Sequence, residues 1–468
     1  MKIAFVHYHL KTGGVTTVLK GQIAAIQGMC DVLVLTGDRA GTELPCRVVE
    51  LPELGYGLPD VSPSAPAMAA DKVLKALSDA WPGGCDVLHI HNPTLAKNRQ
   101  FLQIIKRLQQ SGANLFLQIH DFAEDGRPGA YFKEDYPADC HYGVINGRDF
   151  RILVEAGLDV SGLHHIPNAV HFLPVDGRQR PKPLVIYPVR AIRRKNLGEV
   201  ILLSMFLKND RRIAITQPPN STPDMASYID WKAYVKKNRL HVDFDAGQNV
   251  EFSLLVGVSE SMVTTSITEG FGFSFLEPWT AGKLLWGRRL DDICEDFDGK
   301  GICLNSLYNR IDVPLNWMDT DAFARSWRTA VFSAADAYDY NVTPDVVDCF
   351  VARLTHGASV DFGLLSERFQ RQILSHLLSE PTAKADLAAL NPWLSQPGVV
   401  PNASAMIENN RRAVTRHYNP ERYGQQLLKI YRQVVHHPVR HRIDKRVLLD
   451  AFFDLDRFPL LKWGAYDG

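Results

Sequence analysis

Long hydrophobic runs are missing from this 468-residue chain: its longest apolar stretches, such as residues 200–207, are far short of the roughly 20 residues that span a bilayer. Excess charge is missing too, since 52 Lys and Arg are matched by 52 Asp and Glu. No global field draws the chain to nucleic acid or an anionic membrane, so a bound anion needs a local site. Cysteine is sparse: Cys30, Cys46, Cys85, Cys140, Cys294, Cys303 and Cys349 are scattered, with no C-x-x-C pair. That excludes a zinc pattern and a disulfide framework, and reduced thiols in a cytoplasmic setting are expected. The opening MKIAFVHYHLKTGG has too short an apolar run for a signal peptide. A soluble chain is therefore expected, with no transmembrane segment and no nucleic-acid partner, peripheral membrane contact remaining open.

What is present fits a large globular protein. Hydrophobic residues make up 46% and charged residues 22%, too apolar for a disordered chain. The length suits two domains with an appendage. KIAFVH at 2–7, DVLVLT at 31–36, CDVLHIH at 85–91, NLFLQIH at 114–120 and YGVIN at 142–146 read as buried strands, with helices expected at 15–27 and 95–109. Strands apolar on both faces with helices between them predict a parallel sheet covered on both sides. After a Pro- and charge-rich break at 171–183 the pattern restarts: a strand at 183–188, a helix at 195–206, a strand at 211–216 and a helix at 221–237. Short strands are expected near Val242, Met262 and Lys283, then helices at 320–336 and 345–378, a punctuated stretch at 381–402 and an amphipathic helix at 420–435. The α/β domains are placed at 1–172 and 183–380, with a C-terminal extension at 381–468. The basic cluster HHPVRHRIDKR at 436–446 reads as a solvated face, though such a cluster also fits a nucleic-acid or membrane patch.

In parallel sheets, loops at the carboxyl ends of strands hold ligands. The most informative of these is SITEGFGFSFLEPWTAG at 266–282. Glu269 and Glu277 flank Gly270, Phe271 and Gly272, followed by a helix from about Phe273. Glycines admit a ligand close to the backbone, and the helix N-terminus at Phe273 and Ser274 supplies N–H donors for a phosphate or a sugar hydroxyl. Glu277, a turn into the helix, is placed to chelate a ribose diol. A cap at Glu269 and a surface position for Glu277 form the plainer reading. In YPVRAIRRKN at 187–196, Arg190 and Lys195 could stabilise charge building on a departing diphosphate, or belong to a solvated basic loop. The spacing of Arg193 and Arg194 gives no reason to prefer them. Gly13 and Gly14 open the first helix without a G-x-G-x-x-G fingerprint, and still allow close approach of a phosphate or an acceptor. His120 at a strand end could meet a sugar hydroxyl or serve structure. His89 and His91 share a strand face, which would suit a metal pair, but no third ligand is spaced for it, and no metal is assigned.

These residues together resemble the retaining, GT-B-fold glycosyltransferases of family 4, over roughly the first 300 residues and the helix near Tyr423. The resemblance rests on Gly13–Gly14, His120, IPNAV at 166–170, Arg190 with Lys195, and the Glu269-x7-Glu277 element. It implies two Rossmann-like domains with the active site in the cleft between them, and a C-terminal helix crossing back to the first domain. It further implies transfer of a hexose from a UDP-, GDP- or ADP-linked donor to a sugar, small-molecule or lipid-linked acceptor, with retention and without metal or cofactor. By this resemblance Arg190 and Lys195 bind the diphosphate, Glu269 contacts the transferred sugar, Gly270 to Ser274 hold its hydroxyls and the phosphate, and Glu277 binds the ribose. His120 meets the sugar, Gly14 lies by the phosphate and acceptor, and Gly13 is on the acceptor side. Departures are Ala169 and Pro278, where the family usually has Gly and Ala, and WGRRLDDICEDF at 286–297 in place of a Gly-rich stretch. A nucleotide-sugar 2-epimerase, a phosphorylase, or a non-catalytic binding subunit are the alternatives on the same scaffold.

Overall fold

The computed structural model describes residues 1–57, 62–173, 175 and 182–466; most of the break expected at 171–183 lies outside the described residues. By contacts the chain forms two units, Met1–Val170 with His417–Phe453 and His171–Arg416 with Asp454–Gly468. The stretch expected as one extension from 381 is thus divided between them.

The first unit holds a parallel sheet of seven strands: β1 (Lys2–His7), β2 (Asp31–Thr36), β3 (Arg47–Glu50), β4 (Val87–His91), β5 (Leu115–Ile119), β6 (His141–Val144) and β7 (Leu163–His165), in the order β3-β2-β1-β4-β5-β6-β7. The five strands read from hydrophobic runs are all present; the two edge strands were not read, β3 because Arg47 and Glu50 are exposed and only Val48 and Val49 are half-buried, and β7 because it has three residues. The helix expected from residue 95 begins at Phe101, after Asn98 whose side chain accepts the Gln100 N–H at 3.0 Å. The helix Ala65–Ala80 was also not read; its buried stripe, Pro66, Ala69, Ala70, Val73, Ala76 and Leu77, is made mostly of small residues.

The C-terminal part of this unit covers both faces of the sheet. Helix Pro420–His436 lays Tyr423, Leu427, Ile430 and Tyr431 against Leu19, Ile23 and Ile26 of helix Gly14–Ile26. Asn419 caps it by accepting the Arg422 N–H at 2.8 Å, and Pro420 occupies the first turn, where no N–H is required. On the other face Ile443, Leu448 and Phe452 join the core, carried by the segment through helix Lys445–Phe452. The basic cluster is therefore partly an anchor rather than a solvated face: buried His441 bonds the Cys140 carbonyl at 2.7 Å, and Lys445 donates to the carbonyls of Phe132 and Glu134 and sits 4.0 Å from the Tyr131 ring centroid. Arg440, Arg442 and Arg446 stay exposed, Arg440 almost fully.

The two long helices touch closely at Gly424, where an added Cβ would lie 2.2 Å from the Ala25 carbonyl oxygen. Gly424→Ala is expected to destabilise this unit by about 1–3 kcal/mol through forced separation of the helices. Thermal unfolding followed by circular dichroism checks it, and an unshifted first-unit transition would contradict the packing argument.

The second unit repeats the architecture with six parallel strands: β8 (Leu184–Arg190), β9 (Arg212–Gln217), β10 (Val242–Asp243), β11 (Ser261–Thr264), β12 (Leu284–Arg288) and β13 (Leu307–Tyr308), ordered β10-β9-β8-β11-β12-β13. A small antiparallel pair, β14 (Asp312–Pro314) and β15 (Ser359–Asp361), stands apart. The helix expected at 195–206 is shorter, Leu197–Ser204, because Arg193–Lys195 form a separate 3-10 turn and Asn196 is left-handed at φ 53°. The helix expected at 345–378 is two, Pro344–His356 and Glu367–Ser379, interrupted by β15. The stretch expected as irregular at 381–402 contains helix Ala383–Leu390.

Both sheets have the doubly wound order in which the chain starts in the middle and winds outward each way. Their switch points lie between β1 and β4 and between β8 and β11, and ligands bind beyond the carboxyl ends of the strands there.

Candidate functional site

At the second switch point β8 ends in Arg190, and Pro188, lacking an N–H, coincides with a register shift against β9 between Tyr187 and Arg190. The following turn is clamped to the neighbouring strand end. Tyr187 Oη donates to the Lys195 carbonyl at 2.9 Å, and Thr265 Oγ1 bonds the carbonyls of Lys195 and Asn196 at 2.9 and 3.1 Å. This fixes Lys195 against residues 265–269, and its Nζ forms an ion pair with Glu269 Oε1, each side chain only 12% exposed. Burial pushes the Lys195 ammonium below its usual value although Glu269 opposes the shift. Burial would raise the Glu269 carboxyl, but Lys195 and Arg194 outweigh it and hold Glu269 ionised. Glu269 is thus no helix cap; the cap position is Gly272, which makes no side-chain bond.

Gly272 needs to be glycine: its φ is +88°, and a Cβ would meet Phe275 and Ile293 below 3.0 Å. That turn lets helix Phe273–Thr280 begin directly after the loop, anchored by the buried Phe275, Leu276 and Trp279. The Phe271 ring is buried against Phe273 and Phe297, so its side chain supports the turn from below. In the helix's first turn Ser274 Oγ is buried with no hydrogen-bond partner among the described residues, as is Thr264 Oγ1 at the end of β11. Unsatisfied buried hydroxyls are uncommon and mark places where a ligand could complete the bonding. Glu277, half-buried, also has no partner among the described residues, and burial pushes its carboxyl up to about 7. The Arg190 guanidinium makes no hydrogen bond or ion pair with the described residues either.

Of the neighbouring basic residues, Arg193 is committed to structure. It makes a two-point ion pair with Glu367 at 2.7 and 2.9 Å and donates to the Gly464 carbonyl at 2.7 Å. Arg194 differs: its Nε is buried with no partner among the described residues, and its charge is felt by both Lys195 and Glu269. Sequence spacing could not separate these two arginines, because the groups that take Arg193 lie far along the chain. The 286–297 stretch is also engaged structurally. Arg288 is paired with Glu199 at 2.6 and 2.8 Å and with Asp361 at 2.8 Å, and Arg289 with Asp291 and Asp298. Glu199 in turn accepts from Tyr308 at 2.7 Å and from Asn196 at 2.8 Å, so this buried network braces the turn that carries Lys195.

The first unit has its own polar cluster at its switch point. His7 ends β1, His91 ends β4, and His120 follows β5. His91 Nδ1 and His120 Nε2 lie 2.8 Å apart, the His120 N–H is held by Asn92 Oδ1 at 2.8 Å, and the two rings stack with centroids 5.1 Å apart. Burial lowers His7 and His89 to about 3 and His120 to about 4, so all three are neutral near pH 7. His89 does not share a free face with His91: its ring nitrogens are taken by Tyr431 Oη at 2.9 Å and Gln118 Oε1 at 2.8 Å. His7 Nδ1 and His91 Nε2 are buried and have no partner among the described residues. Gly13 is extended at φ 179°, a conformation any residue adopts, and Cβ atoms at Gly13 and Gly14 would meet nothing closer than 3.8 Å. Folding alone does not demand glycine there; the pair leaves open space before the helix N-terminus.

No protein-family model matches the chain. A mannosylglucosyl-3-phosphoglycerate synthase of Petrotoga mobilis is 25% identical over 350 residues, 66% of this chain and 68% of that protein. Among solved structures, a sucrose-phosphate synthase from Thermosynechococcus elongatus superposes with a TM-score of 0.53 at 15% identity, over 92% of this chain and 98% of that one. Anabaena HepE in complex with UDP-glucose matches with 0.53 at 11% identity, over the same shares of 92% and 98%. A glycosyltransferase from Rickettsia africae gives 0.52 at 12% identity, over 93% and 98%. With its two parallel α/β sheets of doubly wound order and its helical C-terminal region, the chain has the GT-B fold of glycosyltransferases.

Proposed function

We propose that this protein is a retaining, metal-independent glycosyltransferase that moves a hexose from a nucleotide sugar to an acceptor hydroxyl. One observation carries the reading: at a single switch point the buried Lys195–Glu269 pair lies with the unpartnered Arg190, an unpartnered Glu277 and a helix N-terminus at Gly272–Ser274. Arg190 and Lys195 hold the donor diphosphate and stabilise the charge that builds on it as the anomeric C–O bond breaks. Glu269, kept ionised, contacts the transferred sugar. Backbone N–H groups from Gly270 to Ser274 hold the sugar hydroxyls and the phosphate. Glu277 accepts from the ribose diol. On the first unit, His120 as a neutral imidazole is assigned to a sugar hydroxyl, Gly14 to the phosphate and acceptor, and Gly13 to the acceptor side. In a front-face reaction the acceptor oxygen bonds the anomeric carbon while its proton passes to the departing phosphate oxygen. The name of the Petrotoga relative supports transfer to a small acceptor.

Thermal-shift measurements with UDP, GDP, ADP and their hexose conjugates test the donor assignment, since a ligand that binds only the folded state raises its apparent stability. One nucleotide series is expected to raise the melting point, and the reading falls if none does. The anomeric configuration of the product, read by NMR, tests retention.

The Glu277 assignment makes a pH prediction. Ribose hydroxyls donate to the carboxylate, and burial holds the free carboxyl at about 7. Binding must therefore expel a proton below that pH, so nucleotide affinity is expected to strengthen from pH 5.5 to about 7.5 and then level off. In the free protein the sign is opposite: a raised folded pKa favours folding at low pH, and this contribution is lost as pH rises from about 4.5 through 7. Glu277→Gln is expected to flatten the affinity profile while raising the melting point at pH 8 and not at pH 5. An unchanged profile in the variant would remove Glu277 from the ribose site.

A further inference from the structure

We propose that Arg194 is a second phosphate-binding cation of the donor site, gripping the diphosphate together with Arg190; this rests on the reading of the site as one for a nucleotide sugar. The three consecutive basic residues Arg193, Arg194 and Lys195 have three different fates. Arg193 is saturated by Glu367 and the Gly464 carbonyl. Lys195 is bound to Glu269, so its charge is largely offset before any ligand arrives. Arg194 has no acceptor among the described residues, and its Nε is buried besides. Leaving a buried charged donor unsatisfied is costly, and a bound anion would recover that cost.

Position and charge point the same way. The Arg194 carbonyl accepts the Ile267 N–H at 3.0 Å, which pins this residue beside the loop that carries Glu269 and Gly270. Its charge reaches both members of the ion pair. A nucleotide sugar carries a doubly charged diphosphate, and the leaving nucleoside diphosphate gains further negative charge. Among the described residues of the proposed site, Arg190 without Arg194 supplies one uncompensated positive charge, Lys195 being offset by Glu269. Adding Arg194 brings the site to two, matching the diphosphate, and a guanidinium can grip phosphate oxygens at two points.

The test compares nucleoside diphosphate with monophosphate. Calorimetric titration uses whichever of UDP, GDP or ADP binds the unmodified protein, then its monophosphate. Arg194→Gln is expected to weaken the diphosphate about 10- to 100-fold, as loss of hydrogen bonds between charged groups implies, and to make its binding less steeply dependent on salt. The monophosphate should change far less. Arg194→Lys keeps the charge without the fork and should lie between, whereas Arg193→Gln should lower the melting point and leave diphosphate affinity unaltered. If the unmodified protein binds none of the three diphosphates, the donor reading falls and takes this assignment with it. If it binds one, and Arg194→Gln binds it equally well, only the role of Arg194 is overturned. Equal losses for diphosphate and monophosphate in Arg194→Gln and Arg194→Lys, with a lowered melting point in both, would make Arg194 a structural residue and likewise overturn its role.

Discussion

Replacing Glu269 by Gln is expected to cut turnover by about two to three orders of magnitude, the range seen when a preorganised electrostatic partner is removed from an active site. Two effects act together. The carboxylate contact to the transferred sugar is lost, and Lys195 loses the partner that aims its ammonium from a buried position. Because burial already lowers Lys195, the unpaired amine has less reason to stay charged, and the leaving phosphate then loses a cation as well. Donor binding should suffer much less than turnover, since Arg190, Glu277 and the helix N-terminus are untouched. Steady-state kinetics with the donor found by thermal shift separates the two. Wild-type turnover in Glu269→Gln would sink the site assignment, and a loss confined to KM would move Glu269 from the reacting sugar to donor binding.

The second large effect concerns stability. Arg288 lies at the end of β12 with its side chain 5% exposed, facing Glu199 at 0% and Asp361 at 16%. Arg288→Met would leave two carboxylates without their cation, and breaking a buried pair in this way costs about 3–5 kcal/mol. Glu199, which burial alone pushes upward, is the worse stranded of the two, so adding Glu199→Gln to Arg288→Met should recover part of the loss. All tryptophans except Trp81 lie in the second unit, so urea unfolding followed by tryptophan fluorescence reports on that unit. A midpoint shift below about 1 kcal/mol equivalent would show that the network is dispensable. Because Glu199 holds Asn196, next to Lys195, the variant should also weaken nucleotide binding.

Much of the scaffold was legible from local pattern. KIAFVH, DVLVLT, the strand at 85–91 and PLVIYP each became a central parallel strand, because a strand buried on both faces must be apolar throughout and is bounded by turn residues. Elements without that signature went unread: edge strand β3 is at most half-buried, and helix Ala65–Ala80 buries mostly small residues. Element ends shifted where a side chain decided them, as Asn98 does before helix Phe101–Gln110.

The residues proposed for the donor side were picked out for a related reason. Arg190, Lys195, Glu269 and Glu277 lie on two short segments, and each segment follows a strand that the pattern places in the sheet. What neighbours in sequence could not reveal was how adjacent residues of like type divide. Arg193 and Arg194 have the same charge and the same local setting, yet Glu367 takes one of them and leaves the other without an acceptor. Arg288 and Arg289 lie side by side in the 286–297 stretch, and partners distant in the chain claim Arg288 for the framework. His89 and His91 point to one face of the strand, but Tyr431, contributed from the far end of the sequence, occupies His89. Sequence alone determined which segments become the buried inner strands and which turns carry charge, since burial and backbone preference act over a few residues. Tertiary structure alone decided which of those charges are already neutralised, because an ion pair or a hydrogen bond depends on atoms a few ångströms apart in space and often hundreds of residues apart along the chain.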